Sequence, residues 1–168
     1  DHGSAAASSL MNALRATYDA SIAVGYSPLV STSIYCGEYS KQQILWVMAG
    51  NYAVSQGEYT GAELRQMMEW LVNVKDNGAN PIRHRNYMPV TSGMEYKVTE
   101  YEQGKFRLEE LTINGAPLDD TATYTVFVAG IDVWIENEVY CNCPMPENLK
   151  TKRTEYAIEK ADSRSCLK

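Results

Sequence analysis

The 168-residue sequence predicts an α+β fold, a mixed or antiparallel sheet with helices packed against it. Apolar residues recur at helical spacing in two early stretches, and from Met94 onward the apolar period changes to two. Helical stretches also precede the main block of strands, whereas a parallel α/β sheet alternates strand and helix.

The first helix is expected over Ala5 to Tyr18. Leu10, Met11, Leu14 and Tyr18 fall on one face, and Ser4 is placed to cap the start. Ser21 to Val24 reads as a short buried strand. Gly25 to Gly37, with Pro28 and several hydroxyl residues, reads as a loop of the kind that approaches ligands. Ser40 is placed to cap a short helix through Val47, and Asn51 to Gln56 reads as a strand. Thr60-Gly61-Ala62-Glu63 has the pattern of a capping box, in which each end of the motif satisfies a free amide of the other. Leu64, Met67, Met68 and Leu71 follow in phase on one stripe, so the methionines read as core. Gly78 and Pro81 close that region.

Tyr96, Val98 and Tyr101 lead to a turn at Glu102-Gln103-Gly104, and Phe106, Leu108, Leu111 and Ile113 lead away from it, which is a hairpin. Asn114-Gly115 is a tight-turn pair. Pro117-Leu118-Asp119 then leads to a further strand, Tyr124 to Ala129. Val139 to Pro146 reads as irregular and Thr151 to Ala161 as a closing helix.

Composition excludes several function classes. Net charge is -6, which argues against a nucleic-acid backbone as partner. Basic residues gather only from Lys150 onward, where Glu155, Glu159 and Asp162 interrupt them, the pattern of a solvated helix face. The longest apolar run, Ile44 to Val54, is broken by Gly50 and Asn51 and falls short of the ~18 apolar residues of a membrane span. The chain opens with Asp1-His2-Gly3-Ser4, which reads as a cut from a longer protein, with residues 1–168 forming one domain of it. Cys141 and Cys143 are too close to pair comfortably with each other. Either has Cys36 or Cys166 as a possible disulfide partner, and free thiols are the alternative.

Catalytic constellations are sparse. His2 lies in the terminal stretch, and His84 stands between Arg83 and Arg85, whose charges disfavour an imidazolium and repel a cation. Neither is spaced as a metal ligand, and the cysteines lack zinc-site spacing. There is no nucleophile elbow and no phosphate-binding glycine loop of the Walker type. The acidic pairs Glu109-Glu110 and Asp119-Asp120 fall in strand ends and turns, where carboxylates are usually solvated. On chemistry alone this is a binding or structural domain.

Several ordered segments resemble the C-terminal domain of the 5'-nucleotidase family, which includes UDP-sugar hydrolases and cyclic-nucleotide phosphodiesterases. Leu10 to Arg15 followed by Asp19-Ala20-Ser21-Ile22-Ala23-Val24 is similar to the family's opening helix and "ADIAL" strand. Gly50 to Val54 running into Tyr59-Thr60-Gly61-Ala62-Glu63-Leu64 resembles "GNTLVVVELTGAEL". Met88 to Tyr96 stands where the family has "F-x-Q-V-S-G-L-R-Y". Leu111 to Asp119, then Thr123 to Val126, resembles "VTVNGKPLD…KTYTV".

The resemblance implies an upstream dimetal phosphoesterase domain that uses divalent metals, a secreted, periplasmic or cell-surface location, and a C-terminal domain that grips a nucleotide. The family grips phosphate with the Arg of "GGGIR", stacks the base between two rings, and holds the sugar with the Asp of "GGDGY". Here those positions differ. Ser31 stands where the phosphate Arg would be, and Tyr26 opens the same stretch. Met88 stands for the first stacking ring, with Tyr87 beside it. Glu136 to Tyr140 replaces the sugar loop, leaving Glu138 as its acid and Trp134 nearby as a ring. Two readings follow: a pocket re-specified for another small molecule and built from Tyr26, Ser31, Tyr87, Met88, Trp134 and Glu138, or a non-catalytic binding or dimerisation module that keeps only the fold. A sulfur-compound hydrolase relative with the same domain plan is a further alternative.

Overall fold

A computed structural model describes residues 5–26, 37–38, 40, 42–43, 54–73, 88–129, 145–150 and 153–155. Helices accompany one mixed and one antiparallel sheet, so the class is α+β. Helix α1 runs Ala5–Thr17 and buries Ala7, Leu10, Met11 and Leu14, the last three as expected from the spacing. Its expected cap, Ser4, lies outside the described residues. Strand β1 spans Ile22–Tyr26, so Gly25 and Tyr26 are strand and not the start of a loop. Ser40 and Gln43 make the reciprocal capping exchange: the Gln43 amide donates to Ser40 Oγ at 3.3 Å, and the Ser40 amide donates to Gln43 Oε1 at 2.8 Å.

Strand β2 covers Val54–Thr60, later than the Asn51 to Gln56 expected; Asn51 to Ala53 lie outside the described residues. Gly57 does not end the strand because it makes room: a Cβ there would come 2.7 Å from Tyr59 Cε2. Helix α2, Gly61–Leu71, starts from the full capping box. Thr60 Oγ1 accepts from the Glu63 amide, and the Glu63 carboxylate accepts from the Thr60 amide at 2.9 Å. Met67 and Met68 are fully buried.

Strands β3 (Pro89–Ser92), β4 (Met94–Glu102) and β5 (Lys105–Ile113) follow, then the two-residue β6 (Ala116–Pro117) and β7 (Thr123–Ala129). Asn114 and Gly115 both have positive φ, 50° and 80°, as the tight turn between β5 and β6 requires. The β4–β5 register shifts at Lys97/Val98, which is why Leu108 and Leu111 are both core-facing although an odd step apart. It shifts again at Glu100/Glu102, and Tyr101, between them, is 57% exposed with the Arg107 guanidinium 5.3 Å from its ring centre.

The expected closing helix is absent at its start. Helix α3 is the short Glu147–Lys150, and Arg153–Glu155 is strand β8, paired antiparallel with β2. Without β8 the amides and carbonyls of β2 from Ser55 to Gly57 would face no strand on that side, and pairing there outweighs any helical preference of this charged stretch. Arg153 therefore belongs to a sheet edge and not to a basic helix face; residues 156–168 lie outside the described residues.

The main sheet has the order β3-β1-β7-β2-β8, with β1 and β7 parallel and the flanking pairs antiparallel. Alternate side chains of β1 and β7 supply two cores. Ala23, Phe127 and Ala129 meet α1, and Tyr18 stacks on Phe127 with ring centres 4.4 Å apart. Ile22, Val24, Val126 and Val128 face α2 and the smaller β4-β5-β6 sheet, joined by Met145 and Leu149. No helix among the described residues is long and apolar enough to cross a membrane.

Candidate functional site

Strand direction puts five chain ends together. The C-terminal ends of β1, β7 and β8 (Tyr26, Ala129 and Glu155) share one end of the sheet with the N-terminal ends of β3 and β2 (Pro89 and Val54). The register makes them neighbours: Tyr26 pairs with Pro89, Ala129 with both Gly25 and Val54, and Ser55 with Glu155. Edges of sheets where several strands hand over to connections are where ligand sites collect, because loops vary freely while the sheet holds their roots.

Of the candidate residues, the structure brings Tyr26 and Met88 to this end. Tyr26 ends β1 by its backbone, and Met88, half-buried, immediately precedes Pro89, the register partner of Tyr26. Ser31, Tyr87, Trp134 and Glu138 lie outside the described residues, as do His2, His84 and the four cysteines. Their sequence neighbours are the strand ends just named: Ser31 follows Tyr26, Tyr87 precedes Met88, and Trp134 and Glu138 follow Ala129. Of the stretches 25–37, 84–92 and 130–142, which hold the candidate residues, Gly25, Tyr26 and residues 89–92 are strand, and most of the rest lies outside the described residues.

Two polar groups near this end were not singled out by the sequence reading. Ser55 is 1% exposed, and its Oγ has no hydrogen-bond partner among the described residues. Tyr96, on β4, donates its phenol to the Pro89 carbonyl at 2.7 Å, and burial pushes its pKa up to about 12. Both hide in the pattern of a strand, where Ser reads as filler and Tyr as core. No local motif marks them.

The acidic pairs have structural work. Asp119 accepts from the Thr121 amide at 2.9 Å and its hydroxyl at 2.7 Å, bonds that lower its pKa. Asp120 pairs with Arg65 at 2.8 Å, and Glu110 lies 3.8 Å from Lys97, all at exposed positions. Among the described residues no three His, Cys, Asp or Glu side chains are grouped to hold a metal, so no metal step is assigned to them. An open polar cleft of about 380 Å³, lined by Asn12, Arg15, Asp19, Ser21 and Asn114, lies at the opposite end of the sheet and contains none of the candidate residues.

Comparison with known proteins adds the lineage. No curated protein matches the chain by sequence. Solved structures do share the fold. Over 96% of this chain and 30% of its own, a 5'-nucleotidase precursor from Thermus thermophilus superposes with a TM-score of 0.65 at 15% identity. NAD nucleotidase of Haemophilus influenzae superposes over 76% of this chain and 23% of its own, with a TM-score of 0.59 at 17% identity. The sulfate thiohydrolase SoxB of Thermus thermophilus covers 95% and 28%, with a TM-score of 0.61 at 17% identity. The chain thus spans under a third of the length of each of these structures. The sequence model of the 5'-nucleotidase, C-terminal domain, matches residues 2–131, and the chain belongs to that family.

Proposed function

We propose that this protein is the substrate-binding part of a 5'-nucleotidase-like phosphoester hydrolase, acting outside the cytoplasm, whose ligand sits at the Tyr26–Met88 end of the main sheet. The convergence of five strand ends there carries the reading, because it roots every stretch that holds a candidate residue at one place. Hydrolysis belongs to a dimetal domain elsewhere in a longer protein, where divalent metals would polarise the phosphoester. The short span of this chain relative to its structural neighbours supports that division. The location rests on kinship with a nucleotidase precursor.

The candidate side chains suit a small aromatic ligand. Rings at Tyr26, Tyr87 and Trp134 stack on a base, the Met88 thioether packs against it, and Glu138 accepts sugar hydroxyls. Ser31 offers phosphate a neutral hydroxyl where a guanidinium would supply a charged fork, and the chain carries a net charge of -6. Phosphate therefore adds little affinity, and a nucleoside binds about as well as its monophosphate.

Thermal denaturation of the full chain with adenosine, AMP, NAD and UDP-glucose tests this. A ligand that binds only the folded state at about a hundred times its Kd stabilises by ~2.7 kcal/mol and raises Tm measurably. The expected result is a rise with adenosine that AMP matches. Silence toward all of them overturns the reading and leaves the non-catalytic module.

A further inference from the structure

We propose that Tyr96 is a positioning residue for the binding end of the sheet: its hydroxyl pins the mouth of β3 and thereby sets Met88. The proposal rests on the reading of that end as a ligand site, and it adds a residue from the second sheet that makes no ligand contact of its own.

The geometry begins with Pro89. It is the first residue of the edge strand β3 and the partner of Tyr26, and it has no N–H of its own to donate. Just beyond β3, Gly93 turns the chain with φ 77°, and Thr91 Oγ1 donates to the Met94 carbonyl at 2.6 Å, fixing the corner. That corner folds β4 back so that the Tyr96 hydroxyl reaches the Pro89 carbonyl at 2.7 Å. The Tyr96 ring packs against the core that faces α2, which leaves the phenol little freedom to swing away. Burial also keeps the hydroxyl protonated, a donor throughout the neutral range. The carbonyl it holds belongs to the residue bonded directly to Met88, so a shift there moves Met88 first.

Tyr96→Phe removes the oxygen and keeps the ring. Methionine-methyl NMR of the full chain, with Met88 identified through Met88→Leu, reads the effect directly. The Met88 signal is expected to shift or broaden while Met67 and Met68, buried on α2, hold their positions. Leu108→Ala, on the same hairpin, serves as a control for lost stability and should leave Met88 in place. The affinity for adenosine should fall about tenfold in Tyr96→Phe and stay within twofold in Leu108→Ala. A Met88 signal unchanged by Tyr96→Phe, or an equal loss of affinity in both variants, overturns the positioning role. If the wild-type chain ignores adenosine while Met88 still responds to Tyr96→Phe, the strut stands and the binding reading alone fails.

Discussion

Gly61 is held against the backbone of the Asp119–Ala122 turn. Its amide donates to the Ala122 carbonyl at 2.9 Å, and the next amide, Ala62, donates to the Asp120 carbonyl at 3.0 Å. The turn before β7 is thereby drawn against the first residue of α2. A Cβ at position 61 would collide with the Asp119 carbonyl oxygen and lie 2.8 Å from Asp120 Cα. Because the obstacle is backbone, no side-chain rotation relieves it. Gly61→Ala is therefore expected to cost roughly 1–3 kcal/mol, the usual range for overpacking, although alanine is intrinsically the better helix former. Denaturant unfolding checks this; an unchanged or raised midpoint would show that the turn yields. The Arg65–Asp120 pair bridges the same two elements, but both side chains are more than a third exposed, so it adds little.

At the scale of elements, α2 starts where its sequence says it should. Thr60→Ala removes one half of the capping exchange, takes away the side-chain acceptor of the Glu63 amide, and is expected to cost about 1 kcal/mol in denaturant unfolding. Thr60→Ser keeps an acceptor and should recover most of that, which separates the cap from the lost methyl. The elements legible in advance were those with local causes. The α1 stripe, the α2 box, the Asn114-Gly115 turn and the β4–β5 hairpin each follow from spacing or turn chemistry within a few residues. The elements misread were those set by distant partners. Arg153–Glu155 looked helical because nothing near it in sequence reveals the open side of β2. Tyr101 lies in solvent at the second shift of the β4–β5 register, which the partner strand sets.

On the scale of the whole molecule, the same contrast governs the site. Residue types with binding chemistry were visible from the sequence. The meeting of strand ends at Tyr26 and Pro89 depends on β1 and β7 lying parallel between antiparallel neighbours, which is a property of the topology and not of any motif. The central pair also ties the two cores together. Ile22, Val24, Val126 and Val128 pack toward α2, while the residues between them, Ala23 and Phe127, pack toward α1. Neither core can dissolve without disordering strands that the other needs, so the described elements should unfold as one unit. Leu14 on α1 and Leu71 on α2 test this from opposite faces, both fully buried. Each change to Ala is expected to cost about 2–5 kcal/mol through lost burial and the cavity left behind. They share no cluster, so their costs should add to within about 0.5 kcal/mol in the double variant. Far-ultraviolet circular dichroism and tryptophan fluorescence should still trace one coincident transition in every variant. If Leu14→Ala instead melts in two steps, α1 detaches from a sheet that stands without it, and the parallel β1–β7 pair does not couple the faces.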